Sequence, residues 1–91
     1  IQKACEDKGY VLAVTADHGN CEKMMGDDGV TPHTAHTSNL VPFHVYFPQS
    51  AQTQPAHSSL KEGGLRDVAP TVLDIMGIPA PPCMTGASLF Q

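Results

Sequence analysis

The sequence predicts an α/β fold, a layered sheet with flanking helices. Three stretches carry that expectation. A short helical spacing closes at Gly9 and leads directly into the β-branched apolar run Tyr10–Thr15. A second, alternating run spans Val41–Pro48, and an amphipathic repeat occupies Leu65–Met76.

Taken in order, Ile1, Ala4 and Cys5 are the apolar points of the last turns of an amphipathic helix, which Gly9 ends. The unbroken run Tyr10-Val-Leu-Ala-Val-Thr15 suits a strand covered on both faces. Ala16-Asp-His-Gly-Asn20 then falls at the carboxyl end of that strand, where open α/β sheets bind their ligands. Gly26-Asp-Asp-Gly29 marks a turn, and a second polar loop follows at Thr31–Asn39. In the next strand Val41, Phe43, Val45 and Phe47 share one face and Pro42, His44 and Tyr46 the other. Pro42 has no N–H to donate and belongs at the strand's start or on an edge. Residues 49–64 read as a weakly ordered surface loop. Leu65, Val68, Ala69, Val72, Leu73 and Met76 form a helical stripe, with Asp67 and Asp74 on the opposite side. Asp67 is placed to cap this helix, Pro70 is tolerable in its first turn, and Gly77 with Pro79 stops it. Ile78–Pro82 is expected to be an extended connector, and Met84–Phe90 has no assignable pattern.

Composition narrows the function classes. At 91 residues the chain is one small domain or part of a larger one, and a domain of that size buries only about 60–65% of its unfolded surface. It is 41% hydrophobic but only 5% aromatic, with no Trp, so few large side chains anchor a core. That predicts dependence on the remainder of the same polypeptide. Cys5, Cys21 and Cys83 are an odd count without a CxxC, which argues against a disulfide framework and fits a reducing cytoplasm. The net charge is -4 and the five Lys and Arg residues are scattered, so nucleic acid is not an expected partner. No apolar run approaches the ~20 residues of a membrane helix, and the first residues show no signal-peptide pattern. Positive charge for an anionic ligand would have to come from metal or from residues elsewhere.

Two loops hold the candidate chemistry. Asp17 and His18 can converge on one ion only if the chain bends, which Gly19 makes cheap. A carboxylate with an imidazole suits a borderline divalent ion such as Mn²⁺ or Zn²⁺. The competing reading makes Asp17 a helix cap and His18 a solvated loop residue. His33 and His36 could supply one or two further imidazoles, with the neighbouring hydroxyls as outer partners, or could be plain loop residues. His44 and His57 read as structural, Cys21 as a small buried side chain, and Met24, Met25 and Met76 as core filler. None of Ser38, Ser58, Ser59 and Ser88 lies in a strand-to-helix elbow, so no catalytic nucleophile is expected in this chain.

Val14-Thr-Ala-Asp-His-Gly-Asn20, Thr34-Ala-His-Thr-Ser-Asn39 running into Val41-Pro-Phe43, Leu65–Ile78 and Met84-Thr-Gly-Ala-Ser-Leu89 together form an ordered set of motifs. The set, from about Tyr10 to Phe90, resembles the end of the cofactor-independent phosphoglycerate mutases. That family belongs to the alkaline-phosphatase-like superfamily. The resemblance implies that residues 1–91 are the closing segment of a metal-binding, phosphatase-type domain, with the nucleophilic serine and a transferase-type domain upstream. It implies interconversion of 3-phosphoglycerate and 2-phosphoglycerate through a phosphoserine at two divalent metal ions, Mn²⁺ first, with Mg²⁺, Co²⁺ or Zn²⁺ as alternatives. Asp17 and His18 would then bind one metal and His36 the other, with His33 a neighbour. A cytoplasmic enzyme, monomeric when complete, is implied. Cys83 stands where the family often has an acidic residue, which bears on the tail alone. The alternative is phosphopentomutase, or another phosphotransferase of the same superfamily.

Overall fold

The computed structural model describes residues 1–49, 51 and 59–90. The chain divides into two compact units, Ile1–Pro48 and Gln49–Gln91.

In the first unit, helix α1 (Gln2–Lys8) ends at Gly9, whose φ of 72° is the left-handed cap that the sequence anticipates. Strands β1 (Leu12–Thr15) and β2 (Phe43–Tyr46) pair antiparallel, with Leu12 opposite Tyr46 and Thr15 opposite Phe43. Thr15 Oγ1 donates to the Pro42 carbonyl (2.9 Å), so Pro42 sits just outside the ladder where its missing N–H costs nothing. Tyr46 Oη donates to the Glu6 carboxylate and ties β2 to α1. That bond to Glu6 favours the neutral phenol and pushes the Tyr46 pKa up.

The alternation of β2 is seen: Val41, Phe43 and Val45 are half-buried while Pro42 and His44 are exposed. Tyr46 departs from it, half-buried through its link to Glu6. For β1 the described residues of this chain do not themselves supply the cover expected on both faces. Ala13, Val14 and Thr15 are exposed, and Val14 keeps 52% of its surface. An apolar run shows that a strand can be buried, but cover needs a second layer, and the described residues of this chain place none over β1. The expected layered sheet therefore reduces here to a two-stranded ladder in a mixed helix and strand fold.

The second unit is organised by a helix. A 3₁₀ turn at Leu65–Asp67 runs into α2 (Val68–Ile75), and Gly77 stops it with a φ of 71°. Its packing follows the predicted face only in part, with Val68 and Leu73 half-buried. Leu65, Ala69, Val72 and Met76 are exposed, whereas Pro70 and Thr71 are buried. Asp67, Thr71 and Asp74 lie four and three residues apart, hence on one side of the helix. That polar side receives the tail. Ala87 N–H donates to Asp67 Oδ1 (2.9 Å), Leu89 N–H to Thr71 Oγ1 (2.9 Å), and Ser88 Oγ to Asp74 Oδ2 (2.6 Å). Leu60 and Phe90 form a bridge beside it, with Lys61 N–H bonded to the Leu89 carbonyl. Periodicity counts hydrocarbon but cannot see a main chain arriving to bond a polar row.

Asp67 also differs from the expected cap. It makes no side-chain cap bond to α2; its Oδ2 instead accepts from Gly64 N–H (2.8 Å), at the start of the 3₁₀ turn. The Gly64 bond first, and the Ala87 bond next, hold its carboxyl below the usual range. Met24, Met25 and Met76 are exposed at 70%, 58% and 60%, so none of them fills a core. Cys21 is exposed as well, and all three cysteines are free thiols. Of the surface loop expected at 49–64, residues 50 and 52–58, including His57 and Ser58, lie outside the described residues. Among the described residues the side chains hidden from solvent are Pro48, Pro70, Thr71 and Leu89.

Thr71 is fully buried, and its hydroxyl both accepts from Leu89 and donates to the Asp67 carbonyl (2.6 Å). Thr71→Val keeps the shape and leaves a buried N–H unpaired. We expect a loss of about 1–3 kcal/mol, read as a lower denaturant midpoint; an unchanged midpoint would contradict the pairing.

Candidate metal centre

The chain bends at Asp17 and His18, immediately after β1, and does not enter a helix. The helix-cap reading of Asp17 therefore has nothing to cap. The bend lets neighbouring side chains, which a strand would send to opposite faces, point to the same place. Asp17 Oδ1 lies 3.4 Å from His18 Nε2, with the carboxylate 82% exposed and the imidazole 34% exposed. His18 Nδ1 is 3.0 Å from the Gly19 carbonyl. In the tautomer that donates from Nδ1, Nε2 keeps its lone pair on the side of Asp17.

The second loop is drawn up to the first by a two-way backbone bridge. Thr37 N–H donates to Gly19 O (2.8 Å) and Gly19 N–H to Thr37 O (3.3 Å). His18 and His36, each next to one end of that bridge, stack with ring centroids 3.5 Å apart and planes inclined by 13°. Gly19 is buried, and a Cβ there would lie 2.2 Å from Thr37 Oγ1 and 2.5 and 2.6 Å from the Glu22 carboxylate oxygens. Only glycine admits this approach without displacing its neighbours.

The connection between the loops is a small hairpin. Met25 bridges Pro32, Gly26 N–H bonds to Thr31 O (2.7 Å), and His33 N–H bonds to Met24 O (2.9 Å). At its tip the Asp28 carboxylate accepts from Thr31 Oγ1 and from the N–H groups of Val30 and Thr31. The Thr31 hydroxyl first, then the two backbone bonds, hold the Asp28 pKa down at about 2. His33 Nδ1 is buried with no hydrogen-bond partner, and His44 is exposed on β2 opposite Val14.

Asp17, His18 and His36 are thus brought together, and His44 is not. The donor set fits divalent metal in a particular way. Two donors each about 2.1 Å from one tetrahedral ion such as Zn²⁺ lie roughly 3.4 Å apart, which is the Asp17–His18 separation; an octahedral ion such as Mn²⁺ would draw the pair closer. Nearly parallel imidazoles cannot easily aim their lone pairs at one point, so His36 suits a neighbouring position better than a share in the same ion. Among the described residues no group of three or more His, Cys, Asp and Glu side chains is arranged to hold a metal ion. Glu22 was not anticipated from the sequence. The signal was an acid three residues beyond Gly19, which its exposed turn position made indistinguishable from a solubilising charge.

In the second unit a groove of about 670 Å³ is lined by Lys61, Glu62, Arg66 and Asp67 among others. Two cations face two carboxylates there, so it has no bias toward an anion.

Residues 1–80, which contain the Asp17-His18 turn and the His36 loop, match the sequence model of the Metalloenzyme superfamily. The chain belongs to that superfamily. Within it, the chain is similar to proteins named 2,3-bisphosphoglycerate-independent phosphoglycerate mutase. The Brugia malayi protein is 52% identical over 93 aligned residues, covering 100% of this chain and 17% of the relative. The Moorella thermoacetica protein is 52% identical over 90 residues (99% and 16%), and that of Ruegeria pomeroyi 50% over 87 (96% and 16%). The chain thus spans only 16–17% of the length of these relatives. No helix among the described residues is long and apolar enough to cross a membrane.

The Asp28 tip sets a pH limit on the hairpin. Its carboxyl is depressed on folding, so its contribution is complete above the ordinary value of 3.8 and is lost as pH falls through about 2. A carboxyl ¹³C titration of Asp28 should have its midpoint near 2, with the Val30 and Thr31 amide shifts following it. A midpoint near 3.8 would mean that the three bonds are not made in solution.

Proposed function

We propose that residues 1–91 are the carboxyl-terminal segment of the metal-binding, phosphatase-type domain of an isomerase. It interconverts 3-phosphoglycerate and 2-phosphoglycerate through a phosphoserine intermediate, a step of glycolysis and gluconeogenesis. One observation carries the reading: His18 and His36 face each other at 3.5 Å beside Asp17, in a chain about half identical to mutases of that name.

In this reading Asp17 and His18 hold one divalent ion and His36 a second, with Mn²⁺ the favoured metal. Bound there, the ions offset phosphoryl charge and make a serine hydroxyl easier to ionise. The chain's own part is to hold donors. Asp17 contributes the formal negative charge, and its exposure leaves it accessible to an ion. The Gly19 carbonyl fixes the His18 ring so that Nε2 faces outward. The nucleophilic serine and the groups that grip the phosphate lie upstream, so this chain holds no catalytic residue and is inactive alone. The complete protein is cytoplasmic and monomeric and needs no organic cofactor.

The test uses the complete polypeptide. Chelation should abolish turnover of 3-phosphoglycerate, and Mn²⁺ should restore it. His36→Ala should lower kcat/KM by more than about 100-fold, since removing even an outer partner of a ligand costs 10- to 100-fold. Turnover of ribose 1-phosphate alone would assign the chain to a phosphopentomutase. Wild-type activity and metal content in His36→Ala would remove the site itself.

A further inference from the structure

We propose that Glu22 and Thr37 are a positioning pair that sets the spacing of the two imidazoles; this rests on the reading of His18 and His36 as metal donors. Thr37 Oγ1 donates to Glu22 Oε1 at 2.9 Å, across 15 residues of sequence. The same oxygen lies 3.4 Å from Asn39 N–H, which directs that amide onto it. The Glu22 carboxylate therefore ends a short polar relay, Asn39 to Thr37 to Glu22, that spans both loops.

Its place is specific. Gly19 and Thr37 exchange both backbone hydrogen bonds, and the two carboxylate oxygens of Glu22 lie within 2.6 Å of where a Gly19 side chain would begin. Glu22 thus packs over one side of the bridge whose ends carry His18 and His36. An isolated bridge has only its own two bonds to resist sliding or twisting, and a one-residue slip would turn the side chain beside it to the other face. A side-chain bond from Glu22 to Thr37 opposes that slip. It also leaves both imidazoles free, because neither Glu22 nor Thr37 bonds to a ring nitrogen in this structure. Thr37 is half-buried and Glu22 exposed, so the pair can be altered with little effect on the core.

The experiment measures Mn²⁺ affinity by calorimetry, and kcat at saturating Mn²⁺, in the complete polypeptide. Glu22→Ala and Thr37→Val should each weaken Mn²⁺ binding about 10- to 100-fold, as other outer-shell losses do, while kcat at saturating metal falls much less. The double variant should be no worse than the more damaged single one, because either change breaks the same bond. Thr37→Ser, which keeps the hydroxyl, should bind like the parent, and Glu22→Gln, which keeps an acceptor, should recover most of the affinity. His36→Ala is the reference. If it loses Mn²⁺ while Glu22→Ala and Thr37→Val bind normally, the pair is refuted and the metal site stands. If His36→Ala also binds normally, both fail. Equal losses in Thr37→Ser and Thr37→Val would likewise overturn the role given to the hydroxyl.

Discussion

The two backbone hydrogen bonds between Gly19 and Thr37 are the constraint on which the first unit's chemistry depends. They join a turn that leaves β1 to a loop that precedes β2, and the antiparallel register of those strands already brings the two segments to one end of the ladder. The strands supply direction and the bridge supplies distance. Without a Cβ at residue 19 the loops approach closely enough for His18 and His36 to lie ring against ring. A glycine between Asp17-His18 and Asn20 is thus favoured at the contact.

Much of this was legible in the sequence, for identifiable reasons. The Asp17-His18 bend follows from a polar cluster just beyond a strand, with a glycine next in the chain, and His36 from a polar loop placed before a second strand. The helix stops at Gly9 and Gly77 follow from the absence of a side chain at positive φ. Strand direction was not legible, because an apolar run looks the same in a parallel core and in a two-stranded ladder. Nor does the apolar run say what covers β1: hydrophobicity reports what a surface would gain from cover, not which segment provides it. Glu22 was missed because its partner is 15 residues away and its own surroundings are polar.

The polar side of α2 shows a different limit. Its apolar stripe is real as a pattern, yet Leu65, Val72 and Met76 stay open while Asp67, Thr71 and Asp74 carry the contacts. Each of those contacts satisfies a donor of the tail that has no strand or helix partner of its own, a requirement as strict as burying hydrocarbon. The segment Met84–Phe90, patternless as sequence, is ordered in this way by bonds to a helix that precedes it. Sequence periodicity describes an element's own preferences, whereas a tail without secondary structure is defined by what it leans on.

Such a chain hides little hydrocarbon: Leu89 is the one large aliphatic side chain buried among the described residues. Because the heat-capacity increment of unfolding grows with the apolar area exposed, a unit fastened chiefly by hydrogen bonds has a shallow stability curve. Taken by itself, such a unit would gain little stability on cooling.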